Sequence, residues 1–213
     1  MSAPSRGIPF VIAAPSGTGK TTVCLALRKR NPRLVFSVSH TTRPRRANET
    51  DGVDYHFVST QEFERMIGAG AFLEWAVYNG NHYGTSWKAI EGPLAEGCDV
   101  LLEIEVQGAR QVRQRLPDAR LIFLLPPSQQ ALVQRLEGRG TDTPEQIAAR
   151  LRTAQGELAA VEEFDYAVVN DELDRCVTQV GEIAAAERRG SADELRRRFT
   201  PRQAATRLRG EQP

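Results

Sequence analysis

Between Ile8 and Arg30 the chain reads "IPFVIAAPSGTGKTTVCLALRKR", an apolar run, a glycine-bearing turn and a helically spaced segment. The turn, Ala14-Pro15-Ser16-Gly17-Thr18-Gly19-Lys20-Thr21, matches the phosphate-loop pattern GxxxxGK[ST] at every fixed position except the first. In a strand–turn–helix setting, successive backbone N–H groups wrap phosphate oxygens and the helix N-terminus adds partial positive charge. Gly17 and Gly19 supply left-handed backbone and close approach. Lys20 reaches the β- and γ-phosphates, and the Thr21 hydroxyl is a magnesium ligand. Ala14 adds one methyl at the strand exit, which is tolerated if its φ is negative. A site of this kind serves a switch, a motor or a kinase.

The next segment, "SVSHTTRPRRANETDGVDYHF", offers a second anion site. Arg43 and Arg46 bind phosphate bidentately, and the Tyr55 hydroxyl adds a donor. Glu74 in "FLEWAV" is a charge among apolar residues, expensive to bury unless paired. Glu103 and Glu105 alternate onto one face at the carboxyl end of a strand, where open α/β sheets bind ligands. Glu103 is the candidate for orienting magnesium-bound water. Arg135 and Arg139 stand four apart on one helical face, where like charges repel unless an anion lies between them.

Several elements must position these groups. "IPFVIAA", "DVLLEIE" (99–105), "ARLIFLL" (119–125) and "YAVVN" (166–170) read as buried strands. Helical patterns cover 21–30, 107–116 and 128–138. This alternation predicts an α/β fold with right-handed crossovers and a mainly parallel sheet. Residues from about 37 to 90 read as an inserted subdomain, with short antiparallel strands in "SVSHTT", "DYHFV" and "FLEWAVYNGNHYG". Ser59 and Glu62 mark a capping-box helix start within it. A second interruption, about 131–155, is an arginine-bearing helix pair joined by "GRGTDTPEQ", with Thr143, Pro144 and Gln146 opening the second helix. From Arg188 eight arginines face three acidic residues and few large apolar ones, so 188–213 is expected to fray or remain disordered.

Bulk properties narrow the class. A net charge of +1 gives no argument for nucleic acid or a membrane surface, and no apolar run approaches the roughly 20 residues of a membrane span. The start lacks a cleavable apolar segment, and Cys24, Cys98 and Cys176 have no paired metal spacing. A cytoplasmic location is the expectation. His40, His56 and His82 are expected at the surface or behind the site.

"APSGTGKTT", "SVSHTTRPRR", "GVDYHFVS", "FLEWAVYNGNHYGTS", "LLEIEVQGAR", "RLEGRGTDT" and "VVNDEL" occur in the order and spacing of guanylate kinases, and residues 8–187 resemble that family. The resemblance implies a P-loop kinase fold with core, GMP-binding region and helical lid, over residues 1–187. It implies the reaction ATP + GMP to ADP + GDP with Mg2+, dGMP as a further acceptor, a place in GMP recycling, and a monomer or homodimer. By position, Arg43, Arg46, Tyr55 and Tyr83 fall where the family holds the GMP phosphate. Ser39, Glu74, Thr85 and Glu105 fall where it reads guanine. Arg135, Arg139 and Arg150 fall on the lid arginines, and Asn170 falls near the adenine site. Lys20, Arg43, Arg139 and Arg150 are the expected catalytic residues. Two positions depart, with Ala14 at the head of the loop and Glu105 where "IDxQG" has Asp.

The chemistry is consistent with this. Guanine presents N1–H and N2–H2 donors side by side, which suit a fixed carboxylate, whereas adenine presents a bare N1. Two readings of other classes stay open here. One is a binding module that holds a partner in the GMP cleft without catalysis. The other is a P-loop kinase for a different phosphorylated acceptor.

Overall fold

The computed structural model describes residues 6–137 and 144–209. The elements are β1 (Pro9–Ala13), α1 (Lys20–Arg30), β2 (Leu34–Phe36), β3 (His40–Thr41), β4 (His56–Phe57), α2 (Thr60–Gly68), β5 (Phe72–Tyr78) and β6 (Asn81–Ser86). They continue as α3 (Trp87–Ala95), β7 (Asp99–Glu103), α4 (Val106–Arg115), β8 (Arg120–Leu125), α5 (Gln129–Glu137) and α6 (Pro144–Leu158). A 3-10 turn (Val161–Glu163), β9 (Tyr166–Val169), α7 (Leu173–Arg189), α8 (Asp193–Arg198) and α9 (Pro201–Arg209) complete the described chain. One sheet has the strand order β2-β7-β1-β8-β9 and the other β4-β3-β6-β5. The fold is the α/β arrangement read from the alternation, a mainly parallel sheet flanked by helices. The chain divides into two compact units, one built from residues up to Phe10 with Arg33–Ala119, the other from Val11–Pro32 with the chain from Arg120 onward.

In the first unit, β2 and β7 pair in parallel, with Val35 opposite Val100. The second sheet is organised by the β5–β6 hairpin. Its tip holds Asn79 at φ 48 and Gly80 at φ 76, the backbone of a type I′ turn that matches strand twist. Strand β3 pairs antiparallel with β6, but β3 and β4 are parallel, His40 facing His56 and Thr41 facing Phe57. This corrects the expectation of antiparallel strands throughout the insertion. Residues 42–55 form a long connection between β3 and β4, and parallel pairing needs such a crossover of about a dozen residues or more.

Helix α2 begins as its capping signal requires, with Ser59 Oγ accepting from the Glu62 N–H at 3.1 Å. The Glu62 carboxylate turns instead to Arg65 at 2.6 Å, so only half of the capping box forms. Phe63 stacks on Phe72 at 4.4 Å and fastens this helix to the hairpin. His40 packs between His56 and Phe72; burial, then the nearby His56, lowers its pKa to about 4.

In the second unit, β8 and β9 pair in parallel, Ile122 facing Tyr166. Helices α5 and α6 pack through Leu132, Leu136 and Ala154, with Leu151 and Leu158 at the margin. Pro144 opens α6, where its missing N–H leaves no helical bond unmade; Thr143 lies outside the described residues.

As far as Arg209, the segment after Arg188 is helical rather than frayed, and residues 210–213 lie outside the described residues. Helix α7 runs to Arg189 and stops at Gly190, left-handed at φ 67, and α8 and α9 follow. Ala192, Phe199 and Ala205 are buried, and Ala167 of β9 donates its N–H to the Phe199 carbonyl at 2.9 Å. Arg196 of α8 reaches the buried Glu187 at 2.9 Å. Few apolar residues suffice because a backbone bond and an ion pair add to their attachment.

Candidate active site

Two sets of the side chains named from the sequence lie together, one set in each unit. The phosphate loop belongs to the second unit. Strand β1 is buried along its whole length and delivers the chain to Ala14, itself 1% exposed. Among the described residues Asn79 is the non-glycine with positive φ, so Ala14 meets the condition set for it. Gly17 and Gly19 are both left-handed, at φ 90 and φ 92. Gly19 is the N-cap of α1, with no side-chain capping bond and no acidic residue in the first turn. Lys20 and Thr21 therefore enter a helix terminus whose N–H groups and dipole favour an anion.

Side chains from three other elements brace this loop. Asn170, buried after β9, donates to the Thr18 carbonyl at 2.7 Å. Arg135 of α5 donates to that same carbonyl at 3.1 Å and to the Asn170 carbonyl at 3.0 Å. An added Cβ at Gly17 would come within 2.9 Å of Leu136, and one at Gly19 within 2.9 Å of Asn170 Nδ2. From α6, Arg150 donates to Ser16 Oγ at 2.9 Å. Glu157 accepts from the Ser16 N–H at 3.3 Å. Arg135, Arg150 and Asn170, named from the sequence, thus gather at the loop, and Glu157 joins them. Its signal was its place two turns beyond Arg150 on one helix. Arg139 and the glycines beside it lie outside the described residues.

The second set lies in the first unit. Glu74 in β5 faces Thr85 across the hairpin, is 3% exposed, and accepts from the Thr85 N–H at 2.8 Å. Ser39 and Thr85 hydroxyls meet at 3.2 Å. Tyr55 and Tyr83 are set edge-on with ring centres 6.0 Å apart, and the Arg43 guanidinium lies 5.5 Å from the Tyr55 ring centre. Ser39, Glu74 and Thr85 are therefore one group, and Arg43, Tyr55 and Tyr83 another. Glu103 ends β7, and Glu105 is the N-cap residue of α4 without a side-chain capping bond.

Glu49 was missed by sequence reading. It accepts from Arg43 at 2.7 and 3.0 Å and from the Arg46 N–H at 2.8 Å. Its hydrogen bond to Arg43 lowers its own pKa, against burial, and raises that of Arg43. Glu49 thereby fixes the arginine and the turn that carries it, while the Arg46 side chain stays exposed. A carboxylate six residues after Arg43 in "RPRRANE" was the available signal.

The chain as a whole is similar to known proteins. The guanylate kinase family model matches residues 6–187. The guanylate kinase of Thermosynechococcus vestitus is 53% identical over 172 residues, covering 81% of this chain and 90% of that protein. That of Symbiobacterium thermophilum is 48% identical over 183 residues, covering 86% of this chain and 87% of its own. A crystal structure of guanylate kinase from Anaplasma phagocytophilum superposes with a TM-score of 0.73 at 32% identity, covering 86% of this chain and 87% of the other. With a family match across most of its length, and relatives near half identical over most of theirs, this chain belongs to the guanylate kinase family.

Proposed function

We propose that the protein transfers the γ-phosphoryl group of ATP to GMP, giving ADP and GDP, with the phosphate loop holding ATP and the Glu74 and Arg43 groups holding GMP. Family membership supports the reaction. The observation that carries the acceptor assignment is Glu74, a 3% exposed carboxylate grouped with Ser39 and Thr85. A buried carboxylate needs donors, and the N1–H and N2–H2 edge of guanine supplies a pair. Glu105, at the head of α4, is assigned to the same base. Arg43, Arg46, Tyr55 and Tyr83 take the acceptor's phosphate. dGMP, which carries the same base and phosphate, is assigned as a second acceptor.

No side-chain nucleophile is required. The second pKa of a phosphate monoester is near 6, so GMP is already a dianion at pH 7. Its phosphate oxygen attacks the γ-phosphorus in line, the new P–O bond forms as the bond to the β-phosphate oxygen breaks, and ADP leaves with that electron pair. The protein's task is positioning and charge neutralisation. Lys20 and the loop amides hold the ATP phosphates. Arg43, Arg139 and Arg150 are assigned to the transferring group, Arg135 to the ATP side and Asn170 to the adenine. The oxygens of Thr21 and Glu103 are hard donors of the kind Mg2+ takes, Glu103 through water. Bound there, the ion neutralises phosphate charge. Among the described residues no helix is long and apolar enough to cross a membrane. Membership of the guanylate kinase family supports a role in guanine nucleotide recycling in the cytoplasm.

Acceptor competition tests the reading. With ATP and Mg2+ in excess, GMP is expected to be phosphorylated in strong preference to AMP and dTMP. Glu74→Gln is expected to raise the KM for GMP about 10–100-fold, the loss of one charge-assisted hydrogen bond. Equal turnover of AMP by the unaltered protein refutes the acceptor assignment, and absence of GDP refutes the activity.

A further inference from the structure

We propose that one face of α4, carrying Gly108, Gln111 and Arg115, is a positioning device for the Glu74 carboxylate, and that Gly108 sets the space this carboxylate occupies. The proposal rests on Glu74 as the guanine-reading group.

Strand β5 is irregular beside Glu74. Phe72 pairs with Ser86 and Glu74 with Thr85, so Leu73 is an extra residue, a bulge. Bulges re-aim a side chain and interrupt ladder hydrogen bonds. Arg115 takes up the backbone there, donating to the Phe72 carbonyl at 2.9 Å and the Leu73 carbonyl at 3.0 Å. On the other side of Glu74, Gln111 accepts from the Trp75 N–H at 3.2 Å and donates to its carbonyl at 2.6 Å. The strand is therefore gripped immediately before and after the carboxylate by two side chains one helical turn apart.

Gly108 lies three residues before Gln111, on the same face. A Cβ built there would stand 2.3 Å from Glu74 Oε2 and 3.1 Å from its Cδ. The carboxylate thus rests against helix backbone. Its Oε1 accepts from the Thr85 N–H, and its Oε2 occupies the space that a Cβ at position 108 would fill. Helix formation does not account for this glycine, since Gly is less favourable than Ala within a helix. A methyl at 108 would push the carboxylate off the line on which two adjacent guanine donors meet it.

The test uses steady-state kinetics on the full chain with GMP and inosine monophosphate, which lacks the 2-amino group, as acceptors. Gly108→Ala is expected to raise the KM for GMP about 10-fold and to cut the GMP preference in kcat/KM by a similar factor, with the KM for ATP unchanged. In a Glu74→Asp background, where the shorter side chain leaves room for the methyl, adding Gly108→Ala is expected to change kcat/KM for GMP less than about 3-fold. Retained preference in Gly108→Ala overturns the proposal. So does an equal loss in both backgrounds, which would mean general damage to the helix. Gln111→Met, which keeps helix propensity and bulk, carries the same expectation on the acceptor preference, and normal preference there also overturns it. Glu74→Gln separates the two layers. If it leaves the preference intact, the guanine assignment itself has failed; if it abolishes the preference while Gly108→Ala does not, only the positioning role has failed.

Discussion

Lys20→Ala is expected to lower GDP formation at saturating ATP and GMP by about 10²–10³-fold or more, the scale of removing one preorganised group from a developing anion. The local structure explains why neighbours cannot compensate. Gly19 caps α1 without a side-chain bond and the first turn contains no carboxylate. Lys20 is the only cationic side chain within the loop segment 14–21, and its ammonium is a point charge on a flexible stem. Arg135 is already engaged with two backbone carbonyls behind the loop. Lys20→Arg is expected to fail as well, because a planar fork does not fit where a compact ammonium does. The fold should persist in both variants, since Lys20 is only half-buried and the core strand β1 is untouched. A coupled ADP assay with a parallel thermal melt checks this. Turnover within a few-fold of the unaltered protein, at an unchanged melting temperature, would refute the role of the loop in transfer.

The phosphate loop was legible in the sequence because its chemistry is local. Two glycines, a lysine and a threonine between a strand pattern and a helix pattern leave little else to form, and the structure places both glycines in left-handed backbone. Long-range arrangement was less so. That Glu74, Ser39 and Thr85 would share one place was implied only by resemblance. Nothing in their spacing says that β3 and β6 pair. Periodicity does not distinguish parallel from antiparallel pairing, so the β3–β4 direction was misread. Glu49 and Glu157 were hidden because a carboxylate in a polar segment looks solvated until its partner is known. Helix α3 was obscured by Pro93 near its end, since proline inside a pattern ordinarily signals a stop.

Phe199→Ala is expected to lower the melting temperature by about 6–12 °C. That corresponds to about 3 kcal/mol for a buried aromatic truncated to alanine in a domain of this size. Composition alone argues the reverse for this segment, since "RRGSADELRRRFTPRQ" looks like a solvated tail. Phe199 is 8% exposed, however, and its carbonyl accepts from Ala167 on β9. Next to it, Glu187 accepts from Arg120 at 2.8 Å, from Arg196 at 2.9 Å and from the Tyr166 hydroxyl. Burial pushes the Glu187 carboxyl up, but those three donors outweigh it and hold its pKa below the ordinary range. The sign follows. A depressed carboxyl contributes stability that is present above its unfolded pKa and is lost as pH falls through the lower folded value. Arg196→Ala should therefore destabilise by about 1 kcal/mol at pH 7, modestly because Arg196 is half exposed, and by less once acid protonates Glu187. Deleting residues 191–213 removes Arg196 and Phe199 together, leaving Glu187 with Arg120 and Tyr166 and the Ala167 N–H without its acceptor. The truncated chain is expected to melt below Phe199→Ala. Thermal melts of the three variants at pH 7, with Arg196→Ala repeated over a falling pH series that passes below the ordinary carboxyl range, measure this. A deletion variant that melts with the full chain would show that the last two helices are not part of the folded unit.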